Sequence, residues 1–126
     1  MKGASLFPYV VASAVVILAA HYGVNRSLGA HPFWDTKVAL IGAPIGLAMA
    51  LVLLAFIWRW STRLFTFLLL LTVAGVAAHQ GRLQFVASYA ENELAGQFWY
   101  FGWIASSASL AGLIATFLTP RKTATK

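Results

Sequence analysis

The chain has 126 residues, of which 60% are hydrophobic and only 10% are charged, against about 45–50% and 25% in soluble domains. This composition excludes a soluble enzyme, a disordered chain and a disulfide-stabilised scaffold, and the absence of cysteine excludes thiolate metal sites and iron–sulfur clusters. The formal charge of +6 would indicate nucleic-acid binding in a soluble protein, but here membrane topology explains it and no nucleic-acid partner is expected. The sequence indicates an integral membrane protein.

Four segments are apolar enough to cross a bilayer, which requires about 20 residues for a hydrocarbon core of roughly 30 Å. Because backbone groups find no water in lipid, each segment is predicted to be a helix. The fold class is therefore all-α, with residues 1–126 forming one transmembrane domain, a four-helix bundle. The aromatic residues Phe7 and Tyr9 suit an interfacial anchor better than a cleaved signal peptide. The helices are predicted over residues 6–24, 38–57, 64–79 and 98–118, followed by a tail over residues 119–126.

The connections between these segments differ in length. Residues 59–63 leave room only for a tight hairpin between the second and third helices. The connection over residues 80–97 is the longest, and its apolar residues recur at spacings of three, four and four. This spacing predicts a short amphipathic helix lying at the membrane surface. The residues that carry the spacing are Leu83, Val86, Ala90 and Leu94.

The basic residues predict the orientation of the chain. With four spans, both termini and the 59–63 connection lie on one side, which holds six bases and no acids. The opposite side holds three bases and all three acids, so its net charge is zero. Positive charge accumulates on the cytoplasmic side, so we expect both termini to be cytoplasmic and the membrane to be a bacterial inner membrane. The six bases are Lys2, Arg59, Arg63, Arg121, Lys122 and Lys126.

Asp, Glu, Lys and Arg are absent from all four predicted spans. Proton-coupled transporters usually place such a group near the middle of the membrane, so we do not expect a pump of this kind, whereas a carrier of neutral or lipidic cargo is compatible with the sequence. The sequence also contains no recognisable catalytic set of nucleophile, base and metal ligands. We expect a protein that is not an enzyme and has no catalytic or metal-binding residues.

Two histidines are candidates for binding a cofactor. In the predicted topology, His21 and His79 lie at similar depth near the outer ends of the first and third helices. Two imidazoles placed in this way could bind a haem, a chlorin or a quinone. Gly75, one turn before His79, would leave room for a flat ring. The alternative is that both histidines are half-solvated polar groups at the interface.

Small residues predict close helix packing on two helices. The second helix carries a Gly-x-x-x-Gly pair extended by an alanine, and the fourth carries small residues at similar spacing. Aromatic residues also crowd the outer end of the fourth helix, more densely than an interfacial belt requires. These faces either close the bundle itself or bind a partner. The candidate interface residues are Gly42, Gly46, Ala50, Gly102, Ser106, Ser109, Gly112, Trp99 and Trp103.

These features favour a small, non-catalytic accessory or scaffold subunit of a larger inner-membrane complex, whether respiratory, photosynthetic or for transport. Its partners would be the lipid bilayer and other integral membrane subunits. One alternative is a homo-oligomeric carrier of lipidic or neutral small molecules. A second alternative is an electron-transfer subunit that binds haem, chlorin or quinone through His21 and His79.

Overall fold

The computed structural model describes residues 5–119, and this part of the chain is entirely helical apart from its connections. Within it, three helices are long and apolar enough to cross a membrane, namely α3, α4 and α5, whereas α1 is apolar but only 15 residues long. The structure therefore supports an all-helical integral membrane protein. The helices are α1 (Phe7–His21), α2 (Val24–Ser27), α3 (Asp35–Phe56), α4 (Trp60–Ala87) and α5 (Glu93–Leu118).

The first predicted helix is divided into two in the structure. Pro8 lies at the start of α1, where its missing N–H leaves no helical hydrogen bond unmade. The helix ends at His21 because Gly23 adopts a φ of 91°, a left-handed conformation that glycine reaches without steric cost. The chain then forms the single turn α2, so the helix predicted to run to residue 24 ends three residues earlier.

Helix α5 lies at the centre of the bundle and contacts α1, α3 and α4. Helices α3 and α4 are joined by only three residues, 57–59, yet they make few contacts with each other. The short connection predicted a tight hairpin between them, whereas each packs instead along α5. Among the described residues α1 and α4 make no contact, so one side of the bundle is open between them.

The small residues of α3 determine how it packs on α5. A Cβ atom added at Gly42 would lie 2.7 Å from the carbonyl oxygen of Ile104, and one added at Gly46 would overlap the carbonyl group of Ala108. Contacts this short are impossible for any side chain, so only glycine permits the two backbones to approach. Both glycines of the Gly-x-x-x-Gly pair thus close the bundle itself, as does the buried Ala50.

Helix α4 packs on α5 in the same way along its whole length. A Cβ atom added at Gly102 would lie 2.7 Å from the backbone nitrogen of Ala78, and one at Gly81 would lie 2.5 Å from that of Trp99. At the other end, Gly112 faces the buried ring of Phe67. The helices α4 and α5 therefore form one antiparallel hairpin.

The connection predicted to carry a surface helix is a tight turn instead. Helix α4 continues to Ala87, and α5 begins at Glu93, so the amphipathic residues of the 80–97 segment belong to the ends of two long helices. Tyr89 and Ala90 break the helix because both have positive φ angles, 57° and 67°. The Asn92 side chain then accepts a hydrogen bond from the Ala95 N–H at 3.0 Å and starts α5.

Helix α1 lies alongside α3 and α5. The end of α1 near α2 packs against the start of α3, where Ala20 and Ala39 belong to one buried cluster. The other end of α1 packs further along α3, where Ala12 and Ala50 belong to a second buried cluster. The end of the bundle formed by residues 22–34 and 88–92 is called the loop end below, and the end formed by residues 57–59 is called the link end.

Arg63 occupies the core of the link end and is only 1% exposed. Its Nη1 atom donates hydrogen bonds to the carbonyl oxygens of Ile57, at 2.7 Å, and Trp58, at 2.9 Å. These carbonyls follow the end of α3 and have left its helical hydrogen-bond pattern. The Arg63 side chain therefore holds the connection between α3 and α4.

Candidate functional site: a lateral groove between α1 and α4

A cavity of about 440 Å³ occupies the gap between α1 and α4. Its walls come from these two helices, its floor is α5, and α2 with the following turn covers it at the loop end. We call this cavity the lateral groove, because α1 and α4 make no contact within residues 5–119 and the cavity lies between them. The residues that line it are Val15, Val16, Ala19, Val24, Asn25, Leu28, Gly29, Leu71, Gly75, Ala78, His79, Arg82, Trp103, Ser106, Ser107 and Leu110.

The charged and polar side chains of the groove lie mainly at its loop end. His79 and Arg82 are three residues apart on α4, so they share a face of the helix, and both are exposed. Neither forms a hydrogen bond or an ion pair with another described residue. No acidic side chain is among the lining residues in the described part of the chain. This end of the groove therefore presents an uncompensated positive charge.

The middle of the groove is apolar and has room for a ligand. A Cβ atom added at Gly75 would meet nothing within 4 Å, in contrast to the glycines that pack against α5. Ser107 of α5 contributes to the floor and is 95% buried, and its Cβ faces Gly42 of α3. Ser106 donates to the Gly102 carbonyl oxygen at 2.7 Å.

The depth of the groove matches one leaflet of a bilayer. From Arg82 to Leu71 the helix α4 advances eleven residues, or about 16 Å at 1.5 Å per residue. Half of a hydrocarbon core is about 15 Å thick. A second cavity of about 430 Å³ continues the same α4–α5 seam towards the link end, beginning one turn beyond Leu71 at Leu68, and its lining is wholly apolar.

The structure separates the two candidate histidines. His79 lines the groove, whereas the exposed His21 does not, and its ring contacts that of Tyr22. Helices α1 and α4, which carry His21 and His79, make no contact with each other in the described range. The described residues also contain no group of three or more His, Asp or Glu side chains placed to bind a metal ion.

The aromatic residues at the start of α5 take different positions. Trp99 is buried, and its indole N–H donates to the carbonyl oxygen of Gly29 at 3.0 Å. Its ring also contacts those of His31 and Trp34, with centroids 5.6 and 5.3 Å away. Trp99 therefore fastens the 22–34 connection to α5, while Trp103 lines the groove.

Polar contacts also hold α2 and the following turn, which cover the groove at the loop end. Arg26 forms an ion pair with Asp35, with Nε and Oδ2 3.0 Å apart, and the side-chain amide of Asn25 donates to the backbone carbonyl of Asp35 at 3.0 Å. Asp35 is buried, is paired with Arg26 and does not line the groove. Helix α2 is consequently attached to the start of α3.

The remaining candidate interface residues make contacts within the chain. Gly112 faces the ring of Phe67, and the buried Ser109 donates to the carbonyl oxygen of Ala105 at 2.8 Å. Sequence reasoning pointed to Gly75 and His79, but it did not place Arg82 beside them, because residues 80–97 were predicted to form a separate connection and not the end of α4.

No family model, no curated protein and no solved structure matches this chain. The function must therefore be inferred from the residues and geometry of the chain itself.

Proposed function

We propose that this chain is a small, non-catalytic integral membrane protein that binds a lipidic amphiphile in the lateral groove. The observation that carries the proposal is an apolar cavity of about 440 Å³ with polar side chains gathered at one end. Ligand pockets in proteins commonly have volumes of about 300–1,000 Å³ and are apolar with a few polar groups that fix orientation. An amphiphile has the same distribution, with one polar end and an apolar chain.

Filling the groove tests this proposal. The substitution Gly75→Phe places a ring in open space, so we expect it to leave the fold intact and to reduce the amount of co-purified lipid at least several-fold. The measurement is native mass spectrometry of protein purified in mild detergent, which counts the lipid molecules retained per chain. Val73→Phe adds a ring to an exposed position that does not line the groove, and it serves as the matched control.

Equal lipid retention by wild type, Gly75→Phe and Val73→Phe would contradict the proposal. A loss in both variants would mean that bulk anywhere on α4 disturbs lipid contacts, and it would also count against a specific groove.

A second candidate function is the accessory or scaffold subunit, and the packing of α4 favours it. This helix packs closely only on α5, and its other face is exposed along most of its length. Another membrane helix could cover that face through van der Waals packing. The same purification distinguishes the candidates, because a second protein present in fixed ratio supports the subunit and a chain that purifies alone counts against it. The exposed residues of this face include Phe65, Leu69, Val73 and Val76.

We also propose that the chain crosses a bacterial inner membrane four times with both termini in the cytoplasm. The 15 residues of α1 span about 22 Å, less than the core of roughly 30 Å, but α1 runs beside α3 from Ala39 to Ala50. The distribution of bases supports the orientation.

Reporter fusions test this topology. A reporter active only in the cytoplasm is expected to work when fused after Lys126 and to fail when inserted beside Glu91, in the turn between α4 and α5. The converse pattern would contradict the orientation, and activity of the cytoplasmic reporter at both positions would contradict an odd number of crossings between them.

A further inference from the structure

We infer that the amphiphile bound in the lateral groove is an anionic glycerophospholipid, with its phosphate at Arg82 and His79 and one acyl chain along α4. This inference rests on the proposed function, since it assigns the chemical class of the ligand for the same groove. It is drawn from the charges at the loop end, from the depth of the cavity and from the opening between α1 and α4.

The positive charge at the loop end favours a negatively charged headgroup. Arg82 alone presents five N–H donors, and neither Arg82 nor His79 has a partner among the residues described. A guanidinium matches the geometry of a phosphate with two parallel hydrogen bonds. Asp35 is buried and already paired with Arg26, and neither Glu91 nor Glu93 lines the groove. A cationic headgroup would find no acceptor carboxylate here, so the groove favours an anion.

The shape of the groove selects the apolar part of the ligand. The cavity extends about 16 Å from Arg82 to Leu71, which matches the thickness of one leaflet and so the length of one acyl chain. Because α1 and α4 do not touch along residues 5–119, a second chain can leave through the gap and stay in the bilayer. A two-chain phospholipid of the leaflet at the loop end fits this arrangement without any movement of the helices.

Lipid competition tests the inference. The full chain is reconstituted in nanodiscs containing equal amounts of phosphatidylglycerol and phosphatidylcholine, extracted in mild detergent, and its retained lipids are counted by native mass spectrometry. One basic side chain near a membrane surface is worth a preference on the order of five-fold for an anionic lipid. We expect wild type to retain phosphatidylglycerol with that preference and Arg82→Gln to retain both lipids equally.

The control removes an equal charge at the same end of the bundle. Lys37 is exposed and does not line the groove, so Lys37→Gln is expected to keep the preference of the wild type. A preference that survives in Arg82→Gln, or that is lost equally in Lys37→Gln, would overturn the inference while leaving a lipid groove intact. Wild type that retains no lipid, or Gly75→Phe that retains as much as wild type, would overturn the proposed function and the inference with it.

Discussion

Replacing Gly46 with alanine is expected to lower the free energy of unfolding by about 2 kcal/mol, in the range of overpacked cores. The added Cβ would overlap the backbone carbonyl of Ala108, and a backbone cannot rotate aside as a flexible side chain can. Helices α3 and α5 must therefore separate, and the packing of α1 against both is weakened as well. Reversible unfolding in mixed micelles, followed by tryptophan fluorescence, measures the change.

Gly75→Ala is the matched control for this experiment. It makes the same chemical change in another long helix, but its Cβ would meet no atom within 4 Å. Because alanine favours the helix over glycine by up to about 1 kcal/mol, we expect this variant to be as stable as wild type or slightly more stable. Equal destabilisation by both substitutions would show that the loss comes from the glycine backbone and not from the α3–α5 contact.

Replacing Arg63 with alanine is expected to cost about 2–4 kcal/mol of unfolding free energy, from the loss of two charge-assisted hydrogen bonds and the cavity left behind. The guanidinium is 1% exposed and donates to the carbonyl oxygens of Ile57 and Trp58. No carboxylate within residues 5–119 pairs with it, and its Nη2 atom is buried without a hydrogen-bond partner. Arg59→Ala, at an exposed position of the same end, should change stability by less than about 0.5 kcal/mol.

A third variant separates the two opposing contributions of Arg63. Arg63→Met keeps most of the volume but removes both the hydrogen bonds and the buried charge. Burying a charge without a counter-ion is costly, and apolar replacements of buried ionic groups are sometimes stabilising. We expect Arg63→Met to be less stable than wild type, because the connection between α3 and α4 would lose the donors for its carbonyls. A more stable Arg63→Met would mean that the charge costs more than its hydrogen bonds contribute.

The sequence predicted the helical class and the existence of the long helices, because runs of apolar residues determine both. It did not predict where α4 ends, since hydropathy records where the chain leaves lipid and not where the backbone stops being helical. Gln80 to Ala87 are mostly polar or exposed, yet they remain helical because Gly81 packs against Trp99. The turn at Tyr89 and Ala90 carried no glycine or proline to signal it.

The candidate site was predicted only in part, for a related reason. The sequence placed Gly75 and His79 together because they are one turn apart on one helix, and both line the groove. Binding of one cofactor by both His79 and His21 required the first and third predicted helices to be neighbours, and the small-residue faces predicted on two other helices left the neighbours undetermined. The groove exists because α3 and α4 both pack on α5, which leaves α1 and α4 apart. That arrangement follows from contacts between distant parts of the chain.

The central position of α5 also sets the order in which the bundle can be completed during synthesis. Helix α5 is the last of the described helices to leave the ribosome, yet α1, α3 and α4 all pack on it. Until Ala108 has entered the membrane, the glycine face of α3 has only lipid beside it, and α4 has no close neighbour. The earlier helices therefore reach their final packing only after α5 has inserted. Until then the lateral groove lacks the helix that forms its floor.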